Sequence, residues 1–511
     1  MGRRQGLRLH FFAALAGLAI AGAMPAHAQQ PPKYSCGDIP NPNSVPKIQP
    51  TFRTNAGLNN GEFDCMAWQD FIYFMWPARP GQRGAPKPSP ARLGDTGPTV
   101  WETYRNAETV FLPNAQNPGP RNQPQLMATL RASLAQQVAD GAVRHLTMTS
   151  KVSRAVLANI LRSGAATPPN ILDEIAQAGG GTLYDLNGNP VYYEVAMNEA
   201  QYDYIVDNKL YDANQQSSFA QTKVIALPGN TVGAGSSVEI KAAWKILTAA
   251  EKSSGRFHTT QALIQGSLTP VTVGLVGFHA FISRGDQGGW ATFAQIDNAP
   301  VHAPVTSGTF NFFNPRCKGP ADITTPCPYN VRDADPGQVV QITPDDATAD
   351  QLNAYMHGLL KQYDPKSPWQ YYNLVNVQWP KVPVPLSSLT APVTQPLPDG
   401  TPNDPILVNA VLETFLQQAN VGCIECHQYA STAASGGSKP TTYAGYLCSG
   451  APAHRSERRL TPRCARPISR RDQARDDPAL CQAPNQFGCC VIAMTPQANI
   501  STQMVQSRSE T

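Results

Sequence analysis

Cys423-Ile424-Glu425-Cys426-His427, late in a 511-residue chain, constrains this sequence more than any other stretch. One short helical turn brings Cys423 and Cys426 (i, i+3) and His427 (i+4) to one face. Two thiols and an imidazole so arranged suit attachment of a c-type haem: the thiols add to the porphyrin vinyl groups and the imidazole ligates the iron. The spacing therefore predicts one covalent haem c, held by Cys423 and Cys426, with His427 as proximal iron ligand. Three other readings compete. A thioredoxin-type pair follows a strand in a βαβ unit, whereas residues 407–418, headed by Asp404 and Pro405, predict a helix leading into the motif. A zinc site lacks a second pair at ligand spacing, and a plain disulfide leaves His427 without a role.

Covalent haem implies export, and the other end of the chain supplies a signal. Residues 1–28 read as a secretory signal peptide: Arg3, Arg4 and Arg8 precede an apolar run over 11–24, and Ala26-His27-Ala28 is a small-x-small cleavage site. The apolar run is shorter than a bilayer-spanning helix and nothing comparable recurs, so no membrane span is expected after cleavage. The expected compartment is the periplasm. There Cys36, Cys65, Cys317 and Cys327 pair most simply as Cys36–Cys65 and Cys317–Cys327, with other pairings open.

The formal net charge of +4 does not describe the body of the chain. Three arginines lie in the signal, and residues 445–511 hold nine arginines against five acids, which leaves about −3 for residues 29–444. A nucleic-acid partner has no support from that balance.

Residues 29–381 read as one large mixed domain of α+β class. Helices are expected over 63–76, 99–111, 125–161, 199–210 and 349–363, from apolar residues at helical spacing. Strands are expected over 237–247, 271–282, 290–296 and 369–379, and a hairpin around Asn187-Gly188. The 271–282 run is apolar without alternation, as in a strand buried on both faces. A Pro-rich linker (382–402) then leads to a short helical haem-attachment segment (403–444). From about residue 445 the composition turns arginine- and cysteine-rich without an apolar period, which predicts a disordered basic tail. A sharper reading makes the chain from Tyr446 onward an out-of-frame terminus.

Several stretches, Leu93-Gly-Asp-Thr-Gly-Pro-Thr-Val-Trp-Glu-Thr-Tyr, Ile240-Lys-Ala-Ala-Trp-Lys, Gly274-Leu-Val-Gly-Phe-His, Trp290-Ala-Thr-Phe-Ala-Gln-Ile-Asp-Asn-Ala-Pro and Val411-Leu-Glu-Thr-Phe before the motif, carry a resemblance. In these the chain resembles large exported bacterial cytochrome c family proteins with a single haem-attachment motif near the C-terminus. The resemblance spans most of 29–444 and implies haem and periplasmic electron transfer, but no substrate.

The iron's distal side is open at this level. Met494 and Met504 have the distance for a methionine ligand. The roughly 40 residues around the motif are too few to enclose a porphyrin, so the large domain must cover it. Its histidines are His145, His258, His279, His302 and His357; His279, in the buried strand, is the preferred distal candidate, ahead of Met356 and His357. The leading expectation is a periplasmic electron carrier working with periplasmic redox partner proteins. The first alternative is a haem-dependent oxidoreductase with a substrate pocket in the large domain. There Trp290, Asp297, Asn298 and His279 are the first residues to test, although such residues more often serve packing and turns. A haem-based sensor or binding protein is the second alternative.

Overall fold

The longest apolar run of the body becomes the strand on which everything else is assembled. The structure is a computed structural model. It describes residues 44–46, 60–112, 115–121, 132–146, 182–229, 235–264, 267–284, 287–301, 305–317, 330–332, 335–341, 347–380, 406–414 and 422–424. In chain order the elements are α1 (Asn60–Met75), β1 (Arg105–Asn106), α2 (Ala132–Ala139), β2 (Val143–Leu146), β3 (Tyr192–Met197), α3 (Glu199–Asp207), α4 (Ala213–Ala220) and β4 (Val238–Ile246). Then follow α5 (Ala249–Ser254), β5 (Thr259–Ile264), β6 (Val271–Arg284), β7 (Gln287–Gln295), β8 (Asn330–Arg332), β9 (Asp335–Gly337), α6 (Ala347–Tyr363) and β10 (Tyr372–Gln378).

Eight of the strands form one sheet, ordered β1-β3-β4-β6-β5-β2 with β7 and β10 branching from β6. The branch exists because β6 is long. Along one edge it pairs with β4 throughout; along the other, its first residues pair with β5 and Gly277 to Arg284 pair with β7. A register shift opposite Ala243 and Trp244 marks a bulge in β6, which bends the strand and lets its two halves serve different partners. Only β2 and β5 run parallel among these pairs. The architecture is thus mixed helix and strand built on one branched, mainly antiparallel sheet.

One face of the sheet carries α1 and α6. Phe71 stacks on Phe293 with ring centroids 4.1 Å apart, and Phe278 meets it edge-on. Trp68 donates its indole N–H to Asn353 at 3.0 Å, and the Asn353 amide group also exchanges hydrogen bonds with the Leu374 backbone. Both tryptophan and asparagine are buried, so the polar atoms that α1 and α6 bring inside are satisfied there. Truncating a buried aromatic such as Trp68 or Phe71 to alanine costs about 3–5 kcal/mol in cores of this kind. The opposite face of β6 receives residues from the C-terminal part of the chain.

Several expectations hold: α1, β4, β6, β7, β10 and α6 fall where the periodicity places them, and β6 is buried on both faces over its central residues. Others need correction. Residues 99–111 form two 3₁₀ turns flanking β1 instead of a helix. Within 125–161 only Ala132–Ala139 is helical among the described residues, and Val143–Leu146 is a strand. Around Asn187-Gly188 the first arm is a single bridge, Tyr184 to Pro190, and Asp185 closes the turn through the amides of Asn187 and Asn189. Cys65 and Cys317 are each disulfide-bonded; Cys36 and Cys327, like the signal, the linker and the tail, lie outside the described residues. Among the described residues no helix is long and apolar enough to cross a membrane.

Candidate functional site

The chain before the motif is fastened to the face of β6 and β7 remote from α1. Asn409 donates its side-chain N–H groups to Thr292 Oγ1 and the Phe293 carbonyl, both at 3.0 Å. Gln341 grips the segment on each side of Asn409, donating to the Val408 carbonyl and accepting from the Ala410 amide, both at 2.9 Å. Tyr193 donates to the Val411 carbonyl at 3.0 Å. The close approach depends on Gly277: a Cβ there would lie 2.5 Å from Val411 Cγ2.

These same bonds explain why residues 407–418 do not begin as a helix. The amides of Ala410 and Val411 are taken by Gln341 and Asn409 side chains, and the Val408 carbonyl by Gln341, so the backbone ladder cannot start there. What forms is a turn in which Leu412 and Glu413 donate to the Asn409 carbonyl. Residues 415–418 lie outside the described residues.

Ten residues further on, Cys423 and Ile424 are buried in an apolar cluster with Val195, Met197, Phe281, Trp290 and Leu407. The Phe281 and Trp290 rings are 4.9 Å apart. Ile424 donates its amide to Gln378 Oε1 at 2.9 Å, which ties the first residues of the motif to β10. Cys423 is not part of a disulfide. Cys426, His427, Met494 and Met504 lie outside the described residues.

His279 sits on the face of β6 that receives this segment, opposite Lys241 of β4 and Thr292 of β7. Its Nε2 is 3.2 Å from Glu413 Oε2 but off the line that a hydrogen bond requires, so the pair is an ion-pair contact and the buried nitrogen has no hydrogen-bond partner. Glu413 is itself held by the Asn409 amide at 3.0 Å. The other described histidines are engaged: His145 with Glu108, His258 with Glu102, and His357 with the Tyr372 carbonyl. His302 lies outside the described residues, and Met356 is buried in the core beside α1.

Three of the four residues to test first for a substrate pocket, Trp290, Asp297 and Asn298, have partners within the fold. Asp297 forms a two-pronged ion pair with Arg256, both bonds 2.6 Å. Asn298 is buried, donating to the Val276 carbonyl and accepting from Asn311. Trp290 packs on Phe281. These are packing and turn roles.

Two groups of titratable residues escaped the sequence reading. Glu239, on the Cys423 side of β4 and opposite Phe281, is buried and bonded by Gln201 at 2.9 Å. Burial pushes its carboxyl up to about 8, the Gln201 bond and Lys241 opposing only in part. The folded chain then keeps a proton that the unfolded chain has lost, so this residue lowers stability as pH rises from the ordinary carboxylate range toward 8. Glu239→Gln is expected to remove that slope and to gain about 2–4 kcal/mol at pH 8 relative to pH 5; urea melts at the two pH values measure it. On the α1 side, Glu102, Arg144, Glu194 and His258 form a buried charged network. Both glutamates stand in runs of aromatic and β-branched residues at core-facing positions, a signal visible in the sequence once the faces are assigned.

Among the described residues no three His, Cys, Asp or Glu side chains gather as a metal site. No protein-family model, curated protein or solved structure matches this chain.

Proposed function

We propose that this chain is an exported c-type cytochrome that carries one covalent haem c on Cys423 and Cys426, with His427 as proximal ligand, and passes electrons between periplasmic redox partner proteins. The observation that carries the reading is the Cys-x-x-Cys-His motif, whose first cysteine keeps its thiol inside an aromatic wall. That environment suits a porphyrin edge: Phe281, Trp290 and Leu407 offer apolar surface beside Cys423. The disulfide state of Cys65 and Cys317 supports an oxidising compartment. When bound, the haem supplies a reversible one-electron couple.

The chain's own residues would do the rest. Asn409, Gln341 and Gln378 hold the attachment segment against the sheet. The sheet and the Cys423 cluster exclude water from one side. His279 stays the distal candidate, and as a ligand it would exchange its 3.2 Å contact with Glu413 for the iron.

An absorption spectrum of protein matured with the haem-attachment machinery tests the reading. A reduced c-type spectrum that carbon monoxide leaves unchanged is the expected result. Ready carbon monoxide binding would move the assignment to an oxidoreductase or sensor, and a colourless product would remove the haem altogether.

A further inference from the structure

A second site stands at the other end of α6, and its chemistry is that of an oxygen-ligated cation. The turn Arg92–Asp95 and the C-terminal end of α6 enclose a cavity of about 240 Å³, lined by Leu93, Gly94, Asp95, Tyr363, Asp364 and Ser367, among others. Each of the two carboxylates spends one oxygen on a local amide: Asp95 Oδ2 accepts from Arg92 at 3.0 Å, and Asp364 Oδ1 from Lys366 at 3.0 Å. The other oxygen of each accepts no hydrogen bond from the described residues.

The decisive feature is Ser367. Only 1% of its surface is exposed, and its Oγ has no hydrogen-bond partner, so a desolvated hydroxyl is left unsatisfied. It faces the same point as Asp364. A methyl group on Gly94 would lie 3.2 Å from Asp364 Oδ2 and 3.8 Å from Ser367 Oγ. Gly94 itself, at φ +99°, holds a left-handed conformation that keeps this space clear. The carbonyl end of α6 adds the negative pole of its dipole. Arg92, Lys361 and Lys366 are the nearby positive charges, and all three are exposed to water.

We propose that this cavity binds a hard divalent cation, Ca²⁺ by ligand class, through Asp95, Asp364 and Ser367 Oγ, with water completing the shell. Two carboxylates and a hydroxyl give a low ligand charge. An affinity on the order of 10⁻⁴–10⁻³ M follows, the range of extracellular calcium modules. The site does not depend on haem.

The test is calorimetric titration of the chelator-treated mature protein with Ca²⁺, supported by Tb³⁺ luminescence, which the cavity's Tyr363 should sensitise. One saturable site is expected, with a thermal transition that rises on Ca²⁺ addition. Asp364→Asn should weaken binding at least tenfold, and Asp95→Asn should do so independently while circular dichroism stays unchanged. Absence of saturable binding up to 10-fold above that affinity range, or binding that both variants leave intact, would overturn the proposal.

Discussion

Alanine at both Cys423 and Cys426 is expected to yield an exported, folded protein with no covalent haem. Its mass would be that of the polypeptide alone, and its haem-stained gel lane blank. The argument turns on what Cys423 does without a cofactor. It lies buried against Phe281 and Trp290, and shortening a small buried side chain by one sulfur costs about 1 kcal/mol. The remaining fastenings of the segment, at Asn409, Gln341 and Gln378, use neither cysteine. The double variant should therefore fold, and haem loss would report on attachment rather than collapse. Each single variant keeps one thiol and should retain part of the pigment through one thioether. If the unaltered protein, matured where attachment is possible, weighs only what its amino acids weigh, Cys423 is a core thiol and the cytochrome reading fails.

The division between what was legible in the sequence and what was not follows the range of the interactions. Long β-branched and aromatic runs bounded by Gly or Pro gave β4, β6 and β7, because burial and local propensity agree there. The Cys423–His427 motif is legible for the same reason: the chemistry proposed for it is contained in five consecutive residues. Residues 99–111 misled because their helical spacing is overridden by strand pairing. Tyr104 and Asn106 take extended backbone conformations where β1 pairs with β3, so a helix breaks there, and Asn106 then caps a separate turn by accepting the Glu108 amide. After α2, Gly141 at φ +76° ends the helix, and a Cβ there would lie 2.4 Å from the Glu102 carbonyl oxygen. Only glycine permits β2 to enter the sheet beside that turn.

The candidate site divides likewise. The contact between His279 and Glu413, and the grip of Gln341 on residues 408–410, join parts of the chain far apart in sequence. No local pattern announces them. The same holds for β5, whose alternation is poor and whose parallel partner β2 is more than a hundred residues earlier. Asp297 and Asn298 follow a strand end, where polar residues serve the turn and its neighbours.

Replacing Arg144 by methionine is expected to cost about 3–5 kcal/mol, as much as truncating a core aromatic. The Arg144 and Glu194 side chains are 5% and 1% exposed. The guanidinium Nε donates to both Glu194 oxygens at 3.1 Å, and Nη1 donates to the Glu102 carbonyl. Trp244 completes the shell by donating to Glu194 at 2.6 Å. Burial alone would raise the Glu102 carboxyl; the charge and hydrogen bond of His258, the Arg144 charge and the Thr99 amide outweigh it and hold the group below the usual carboxylate range. Glu102 thus contributes stability above that range, which is lost as pH falls through it. In the methionine variant Glu194 is left as a buried carboxylate facing no cation, a charged form that burial penalises. Its penalty would then grow as pH rises, so the gap to the parent protein should widen from pH 5 to pH 8 in urea melts. Adding Glu194→Gln should return most of the loss and flatten that dependence, since it removes the unpaired charge itself. A gap that stays constant with pH, or a double variant no better than the single one, would mean that Arg144 matters for its packing over the Trp101 ring, 5.3 Å away, and not for its charge.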